Sequence, residues 1–276
     1  MEDISEYRYQ VLDILKQTGN HYPTQVINLV VDGIQINYHR WMHPLQGDWE
    51  VNALFNPKML SNLSEIIKPN STVIDIGAQV GNMSVAYSLF AGKVLSFEPN
   101  PATYEVLEKN SELNPNIIPF NYAISDEEGA LTFHYSDNGF CNGGFATRTQ
   151  HGIGVTGHTV PIDVMAIKLE KFIQESNIEI GNVSLIKIDA EGHDKDILKT
   201  LVSIITTHKP VLITEIYNGL NTQEITDLLD TIHALGYKAY DEEINKLDLN
   251  NLGKEIKSIN DINPNSGHNL ICVPNL

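Results

Sequence analysis

The sequence predicts an open α/β sheet in which most strands are parallel and helices cover both faces. From Thr72 onward, short apolar runs alternate with stretches of helical periodicity, which is the pattern of a parallel sheet with crossover helices. The first of these apolar runs leads into a turn with two glycines, Gly77 and Gly81, and then into a helix. Because ligands of such sheets bind beyond the carboxyl ends of the strands, we expect the functional site there.

Composition limits the kinds of partner that the chain can have. Its 276 residues are 42% hydrophobic and 19% charged, which is enough to bury one large core. The formal net charge of -17 repels phosphate backbones, so we expect no nucleic acid partner. The sequence leaves a homo-oligomer open.

The expected location is cytoplasmic. No apolar stretch approaches the ~18 residues of a membrane span, so we expect no membrane contact. The start of the chain is acidic and lacks the apolar segment of a signal peptide. The two cysteines have no metal-type spacing, which agrees with a reducing compartment.

Residues 1–70 are predicted to form an N-terminal cap on a main domain that spans residues 71–276. Residues 1–18 have the apolar spacing of one helix face. Asp32-Gly33 separates two apolar runs and predicts a hairpin turn, and Asn56-Pro57 is typical of a helix start.

The main domain is predicted to alternate strands and helices as far as its last two strands, which should form an antiparallel pair at the edge of the sheet. The glycine-rich residues 137–158 have no periodicity and indicate a lid or a binding loop. Strands are predicted at 72–76, 93–97, 117–121, 131–135, 159–162, 184–189, 211–216, 237–240 and 270–273, and helices at 81–90 and 164–175 and from residues 101, 194 and 222.

Five of the predicted strands in the middle of the chain have a polar or acidic residue at, or directly beside, their last position. In a parallel sheet these ends meet at the same edge, so we expect their side chains to line one crevice. The residues are Asp75, Glu98, Asn121, Asp189 and Glu215.

Glu98 and Asp75 suggest which ligand the crevice binds. Glu98 follows Gly77 by about 20 residues, where a carboxylate can accept both hydrogen bonds from a ribose 2′,3′-diol. A dinucleotide site needs a Gly-x-Gly-x-x-Gly turn, whereas this turn has two glycines. Asp75 would repel a pyrophosphate but would attract the cationic amino end of a methionine. The residues therefore favour S-adenosyl-L-methionine, with a nicotinamide-dependent oxidoreductase and a non-catalytic nucleoside-binding module as alternatives.

Four segments also carry a family pattern: Asp75-Ile76-Gly77-Ala78 with Gly81-Asn82, Phe97-Glu98-Pro99, Ala123-Ile124-Ser125-Asp126 with Gly129, and Ile188-Asp189-Ala190-Glu191-Gly192. Together they resemble the FkbM family of S-adenosylmethionine-dependent methyltransferases, from about residue 72 to about residue 219. The resemblance implies a class I methyltransferase (Rossmann-like) fold. It also implies O-methylation, with a glycan or a small secondary metabolite as the acceptor.

The resemblance further implies a role for individual residues around the cofactor. The turn after the first strand would hold the methionine end, the second strand end the ribose, and the third the adenine. In this order the residues are Asp75, Gly77, Ala78, Gln79, Gly81 and Asn82, then Glu98, Pro99 and Asn100, then Asn121 and Ala123, with Asp189 between the cofactor and the incoming hydroxyl. Gln79 stands where family members more often carry Asn or His.

A hydroxyl acceptor is a weak nucleophile and needs a base near its proton. The candidates are Asp189, Glu191, His193 and Glu215. His193 titrates nearest neutral pH, although it could instead cap the following helix. Asp189 should contact the acceptor, and Glu215 could hold either the acceptor or the amino end of the cofactor. We predict no metal, although Asp189, Glu215 and Asn218 could supply oxygen ligands.

Overall fold

The computed structural model describes residues 23–42, 55–136, 143–145, 159–217, 219–241, 252–262 and 268–275. The helix predicted over residues 1–18, most of segment 137–158 and Asn218 lie outside these ranges. Within the described helices, none has both the length and the apolar character that crossing a bilayer would require.

The elements follow each other in mostly alternating order. The strands are β1 (Thr24–Val31), β2 (Ile34–Trp41), β3 (Thr72–Ile76), β4 (Lys93–Phe97), β5 (Ile117–Phe120), β6 (Ala123–Ile124), β7 (Gly129–Ser136), β8 (Gly143–Phe145), β9 (Thr159–Ile167), β10 (Val183–Ile188), β11 (Val211–Ile216), β12 (Tyr237–Asp241), β13 (Glu255–Ile256) and β14 (His268–Pro274). The helices are α1 (Pro57–Ile66), α2 (Asn82–Ser88), α3 (Pro101–Leu113), α4 (Leu169–Glu175), α5 (Asp194–Thr200), α6 (Val202–His208) and α7 (Thr222–Ala234).

The centre of the fold is an eight-stranded sheet in the order β13-β12-β14-β11-β10-β3-β4-β5. The strands from β11 to β5 pair in parallel, and β14 runs antiparallel between β11 and β12. This mostly parallel architecture confirms the predicted fold class. The predicted antiparallel pair is also present, but β13 lies beyond it at the edge of the sheet.

Helices cover both faces of this sheet, as the side chains of β3 show. Ile74 and Ile76 lie in the core under α4 to α7, whereas Val73 lies in the core under α1 to α3. Ile36 and Tyr38 of β2 share this second core. The described parts of the N-terminal region therefore pack on the sheet itself, and the division at residue 70 stays a prediction.

A second sheet has the strand order β6-β9-β7-β8. The helix predicted over residues 164–175 is wrong at its start, because β9 continues to Ile167. In β9, buried Val164 and Ala166 alternate with Met165, which is 49% exposed. This alternation and the antiparallel pairing with β7 are those of a half-buried strand. Strand β8 also lies within the segment that was expected to have no regular structure.

The local signals for turns and helix starts are confirmed. Asp32 and Gly33 have positive φ angles of 49° and 81°, as a type I′ hairpin turn requires. Asn56 accepts a hydrogen bond from a backbone N–H of α1, whose first residue is proline. Asn221 and Glu224 form a capping box at the start of α7.

Asn110 of α3 joins the N-terminal hairpin to the turn after β3. Its side chain is fully buried. Its Oδ1 accepts the N–H of His39 at 2.6 Å, and its Nδ2 donates to the carbonyls of Val80 at 2.7 Å and His39 at 3.3 Å. One amide therefore fixes β2 relative to the turn.

We expect Asn110→Ala to lower the free energy of unfolding by about 2–3 kcal/mol, because three backbone groups lose their partner. Urea denaturation measures this loss. Ser111→Ala is the matched control, since the Ser111 hydroxyl donates to the carbonyl of Glu108 in its own helix and is exposed. The control should change the free energy by less than ~0.5 kcal/mol. Equal losses in the two variants would contradict the linking role of Asn110.

Candidate active site

The strand order brings the five predicted strand-end residues to one edge of the sheet. Strands β11, β10, β3, β4 and β5 are parallel neighbours, so their carboxyl ends lie side by side. Contacts connect the ends: Nδ2 of Asn121 donates to the carbonyl of Glu98 at 2.8 Å, and Asp75 and Asp189 both lie near Nζ of Lys187. The structure thus brings these residues together, whereas their roles stay predictions.

Two positions in the turn after β3 require glycine. Gly77 has a φ of 74°, and a Cβ there would overlap the carbonyl oxygen of Asp189. Gly81 has a φ of 86°, and a Cβ there would lie 2.6 Å from Cδ1 of Leu107. The turn therefore packs against both the end of β10 and helix α3, at distances that no larger residue allows.

Hydrogen bonds attach the turn to β4. The N–H groups of Gly77 and Ala78 both donate to the carbonyl of Phe97 at 3.0 Å. The N–H of Gln79, which has a φ of 53°, donates to Oε2 of Glu98 at 2.8 Å. The predicted cofactor residues of β3 and β4 therefore form one hydrogen-bonded unit.

The carboxylate of Glu98 is buried and already has three donors. Besides the N–H of Gln79, it accepts the N–H of Asn100 and the hydroxyl of Thr103, each at 2.9 Å from Oε1. A carboxylate has about four acceptor positions, so about one is left for a ribose hydroxyl. Burial raises the pKa of Glu98, and the bonds from Asn100 and Thr103 oppose the rise.

Asp75 is fully buried and presents one open oxygen. Its Oδ2 accepts the hydroxyl of Ser84 at 2.6 Å, and Ser84 accepts the hydroxyl of Ser96 at 2.9 Å. Its Oδ1 has no hydrogen-bond partner among the described residues and lies 3.8 Å from Nζ of Lys187. Burial raises the pKa of Asp75, and the charge of Lys187 opposes the rise. A buried acceptor left open in this way is suited to a donor from a ligand.

Two buried asparagine side chains beside the turn each have one atom without a hydrogen-bond partner among the described residues. In the described part of the chain, Oδ1 of Asn82 and Nδ2 of Asn100 have no hydrogen-bond partner. Asn82 is the first residue of α2, and Asn100 caps α3 through its Oδ1, which accepts the N–H of Ala102 at 3.1 Å. Both amides lie where the chain leaves the carboxyl end of a strand.

The residues predicted to flank the adenine follow β5. This strand ends at Phe120, one residue earlier than predicted. The side chain of Asn121 then donates to the carbonyls of Glu98 and of Pro99, the latter at 3.1 Å, and so holds the end of β4. Ala123 is buried in β6.

Lys187 of β10 connects the turn to the next strand end. Its Nζ donates to the carbonyl of Gly77 at 2.9 Å and lies 3.2 Å from Oδ2 of Asp189 and 3.8 Å from Oδ1 of Asp75. Burial alone would lower the pKa of Lys187, but the charges of Asp189 and Asp75 outweigh it and raise the pKa above its ordinary value. Lys187 therefore stays charged at neutral pH, so it is not the base.

Three carboxylates crowd together beyond β10 and β11. Oxygen atoms of Asp189, Glu191 and Glu215 all lie within 4.8 Å of one another. Oε2 of Glu215 is buried and has no hydrogen-bond partner within the described ranges. Burial and then the charge of Asp189 raise the pKa of both glutamates well above the ordinary value. Carboxylates at this spacing can bind a divalent cation or share protons, and the absence of a metal stays a prediction.

His193 stands at the N-cap position of α5, as the alternative to a catalytic role suggested. Its side chain nevertheless makes no capping hydrogen bond. Its Nδ1 lies 3.9 Å from a carboxylate oxygen of Asp196 in the same helix. The structure therefore does not decide between His193 and the carboxylates as a base.

Asp194, the residue after His193, connects the acidic loop (residues 189–193, after β10) to β11. Its Oδ1 accepts the hydroxyl of Thr214 at 2.9 Å and the N–H of Glu215 at 3.0 Å, and its Oδ2 accepts the N–H of Ala190 at 3.3 Å. Burial raises the pKa of Asp194 to about 6, although the hydrogen bond from Glu215 opposes the rise.

Lys187 and Asp194 were not among the predicted site residues. The sequence does carry a signal for Lys187, since it is a single cation inside an apolar strand, where a charge needs a buried partner. Asp194 has no comparable signal, because an acidic residue in the first turn of a helix is ordinary.

A model described as the methyltransferase FkbM domain matches residues 75–239, more than half of the chain. The chain belongs to the FkbM methyltransferase family. The match includes the glycine turn, Glu98, Lys187 and the acidic loop. Membership identifies the protein as a methyltransferase, and it decides against the oxidoreductase and the non-catalytic module.

Relatives of this FkbM-family chain include the hexuronic acid methyltransferase AglP of Haloferax volcanii. The two are 27% identical over 183 residues, which cover 66% of this chain and 71% of AglP. The solved structures that resemble it include methyltransferase FkbM from Methylobacillus flagellatus KT, with a TM-score of 0.44, 13% identity and coverage of 74% of this chain. This chain spans only 44% of that longer protein. TYW2 of M. jannaschii in complex with AdoMet has a TM-score of 0.43 and 14% identity, covering 92% of this chain and 86% of TYW2.

We expect Gly77→Ala to unfold this FkbM-family protein or to lower its free energy of unfolding by more than ~3 kcal/mol. The new Cβ would collide with the backbone of Asp189, and alanine would also have to adopt a positive φ. Gly236→Ala is the matched control, since Gly236 has a φ of 81° and nothing within 4 Å of the added Cβ. The control should lower the free energy of unfolding by only ~1–2 kcal/mol, the cost of placing alanine in the left-handed conformation. Urea denaturation compares the two, and similar losses would show that the contact with β10 is unimportant.

We expect Glu215→Gln to stabilise the fold, and more at pH 8 than at pH 5. A carboxyl whose pKa is raised by folding binds more protons in the folded state, so its presence lowers stability as the pH rises above the ordinary value of 4.5. Replacing this ionisable group by a neutral amide should therefore add about 1 kcal/mol at pH 8, which is a Tm rise of about 2–4 °C. Thermal denaturation in EDTA measures this shift. A lower Tm at pH 8 would contradict the crowding of charge at Glu215.

Proposed function

We propose that the chain is an S-adenosyl-L-methionine-dependent O-methyltransferase whose acceptor is a hydroxyl of a glycan or a small secondary metabolite. The observation that carries the proposal concerns Oδ1 of Asp75, a buried carboxylate oxygen close before the glycine turn. It lies 3.8 Å from Nζ of Lys187 and has no hydrogen-bond partner among the described residues. A cationic amino group is the ligand that such an oxygen fits best. Family membership supports the methyl transfer itself.

The residues around the turn fit the cofactor. Asp75 and Asn82 offer open oxygen acceptors for the amino end of the methionine, and Asn100 offers an open N–H donor near the ribose position. Glu98 keeps about one acceptor position for a ribose hydroxyl, fewer than the two bonds predicted from the sequence. When bound, this cofactor supplies a methyl group on a sulfonium, an electrophile that needs positioning more than further activation.

The acidic cluster supports a role in holding the acceptor and taking its proton. Asp189 is 39% exposed, which leaves its carboxylate accessible beside the turn. Glu191 and Glu215 lie close enough for the charge of one to oppose ionisation of the other, so their protonation is linked. The ionised member of this pair can take the hydroxyl proton as a base, and the protonated member can donate a hydrogen bond to a neighbouring hydroxyl. His193 remains the candidate base outside the pair.

The nature of the acceptor is proposed from the cluster and from one relative. A hydroxyl group both donates and accepts hydrogen bonds, so it suits a mixture of protonated and ionised carboxyls better than a simple anion does. AglP is named a hexuronic acid methyltransferase, which favours a sugar over other acceptors. The cytoplasmic location, a homo-oligomer and the absence of a nucleic acid partner stay predictions.

Calorimetric titration with S-adenosylhomocysteine tests the cofactor. We expect binding in the micromolar range, and Glu98→Gln should weaken it at least tenfold because one hydrogen bond to a charged acceptor is worth about 1.5–3 kcal/mol. Glu65→Gln, on an exposed face of α1, is the control and should bind as the wild type does. No binding by the wild type up to high micromolar concentrations would contradict the proposal.

Transfer of a labelled methyl group tests the acceptor. We expect label in sugars or hydroxylated metabolites from a panel that also contains uronic acids, and none in nucleic acid. Mass spectrometry of the labelled product identifies the atom that carries the methyl group. Cofactor binding with label on a nitrogen or a carbon would refute the O-methylation while leaving the family assignment intact.

A further inference from the structure

Lys187 contacts two loops to which the proposed function gives different tasks. The cofactor turn (residues 77–81) follows β3, and the acceptor loop (residues 189–193) follows β10. The same ammonium group donates to the carbonyl of Gly77 at 2.9 Å and lies 3.2 Å from Oδ2 of Asp189. Neither family membership nor the sequence pattern assigned a role to this residue.

The two loops also touch each other directly. The N–H of Asp189 donates to the carbonyl of Ile76 at 3.1 Å, and the Cα of Gly77 packs so closely on the carbonyl of Asp189 that no Cβ fits. These backbone contacts join the ends of β3 and β10, and Lys187 lies where the polar groups of the two loops meet.

Lys187 also supplies the positive charge that stabilises the carboxylates of Asp75 and Asp189. Asp75 is fully buried, and its open Oδ1 lies 3.8 Å from the ammonium. Removing the ammonium would leave this carboxylate buried without a cation, which is strongly unfavourable. Asp75 would then be neutral or displaced, and in either state it would attract a cationic amino group less.

We propose that Lys187 is a positioning residue that couples the cofactor turn to the acceptor loop, holding Asp75 for the cofactor and Asp189 for the acceptor. This role rests on the proposed function. Lys187 acts through the two aspartates and the Gly77 carbonyl, without contacting the reacting atoms.

The first test compares the affinity of S-adenosylhomocysteine for the wild type, Lys187→Met and Lys187→Arg by calorimetry. Lys187→Met should weaken binding at least tenfold, and Lys187→Arg, which keeps the charge, should stay within threefold of the wild type. Lys171→Met is the matched control, since Lys171 is an exposed lysine of α4 that pairs with Glu128. The control should not change the affinity.

A double variant separates positioning from stability. In Lys187→Met with Asp75→Asn, the buried carboxylate that faced the ammonium is removed together with it, so the Tm should return towards that of the wild type while the affinity stays low. Recovery of affinity in parallel with the Tm would overturn the proposal, because the loss in Lys187→Met would then be one of stability.

Hydrogen exchange tests the coupling itself. In the wild type, S-adenosylhomocysteine should slow amide exchange in both loops, whereas in Lys187→Met it should slow exchange in the cofactor turn only. Equal protection of both loops in Lys187→Met, or affinity within threefold of the wild type, would overturn the proposal and leave the proposed function standing. Absence of binding by the wild type would overturn both.

Discussion

The packing of the cofactor turn against the carboxyl end of β10 is the contact on which the rest of the site depends. Gly77 approaches the carbonyl of Asp189 so closely that a single methyl group would separate the two strands. This approach brings the ends of β3 and β10 together, and Lys187 can then reach the polar groups of both. Without this close approach, the acidic residues at the ends of β3 and β10 would lie farther apart, and the proposed methyl donor and acceptor could not meet between them.

The site lowers the stability of the fold that builds it. Four carboxyl groups around the acceptor loop and β11 have their charges in mutual repulsion, and burial raises the pKa of Glu191, Asp194 and Glu215. The protein offsets part of this cost locally, since Asp194 accepts three hydrogen bonds and the single charge of Lys187 offsets one of the two charges of Asp189 and Asp75. Electrostatic destabilisation of this kind, concentrated at one edge of the sheet and offset by neighbouring contacts, is typical of functional sites.

Signals confined to a few neighbouring residues made the fold predictable from the sequence. Asp32-Gly33, Asn56-Pro57 and the Asn221 capping box each fix their own backbone, and β3 and β4 were predicted with their observed bounds. The start of α4 was predicted wrongly because the strand character of β9 comes from pairing with β7, a partner that a single segment does not reveal. The five strand-end residues followed from topology. The three hydrogen-bond donors to Glu98 could not be predicted in this way. One of them is the N–H of Gln79, which lies in a different loop, and only the other two come from the segment that follows Glu98 itself.

The buried polar atoms without a hydrogen-bond partner in the described ranges at this edge of the sheet indicate which hydrogen-bonding groups a suitable ligand would have. Four buried side-chain atoms there lack a hydrogen-bond partner among the described residues: Oδ1 of Asp75, Oδ1 of Asn82, Oε2 of Glu215 and Nδ2 of Asn100. Three of them are oxygens, and each open buried group costs about 1–3 kcal/mol unless a ligand satisfies it. A complementary ligand therefore presents mainly N–H and O–H donors, with cationic character near Asp75. An amino acid ammonium at one end and hydroxyl groups at the other meet this requirement, whereas a dinucleotide pyrophosphate, which only accepts, does not.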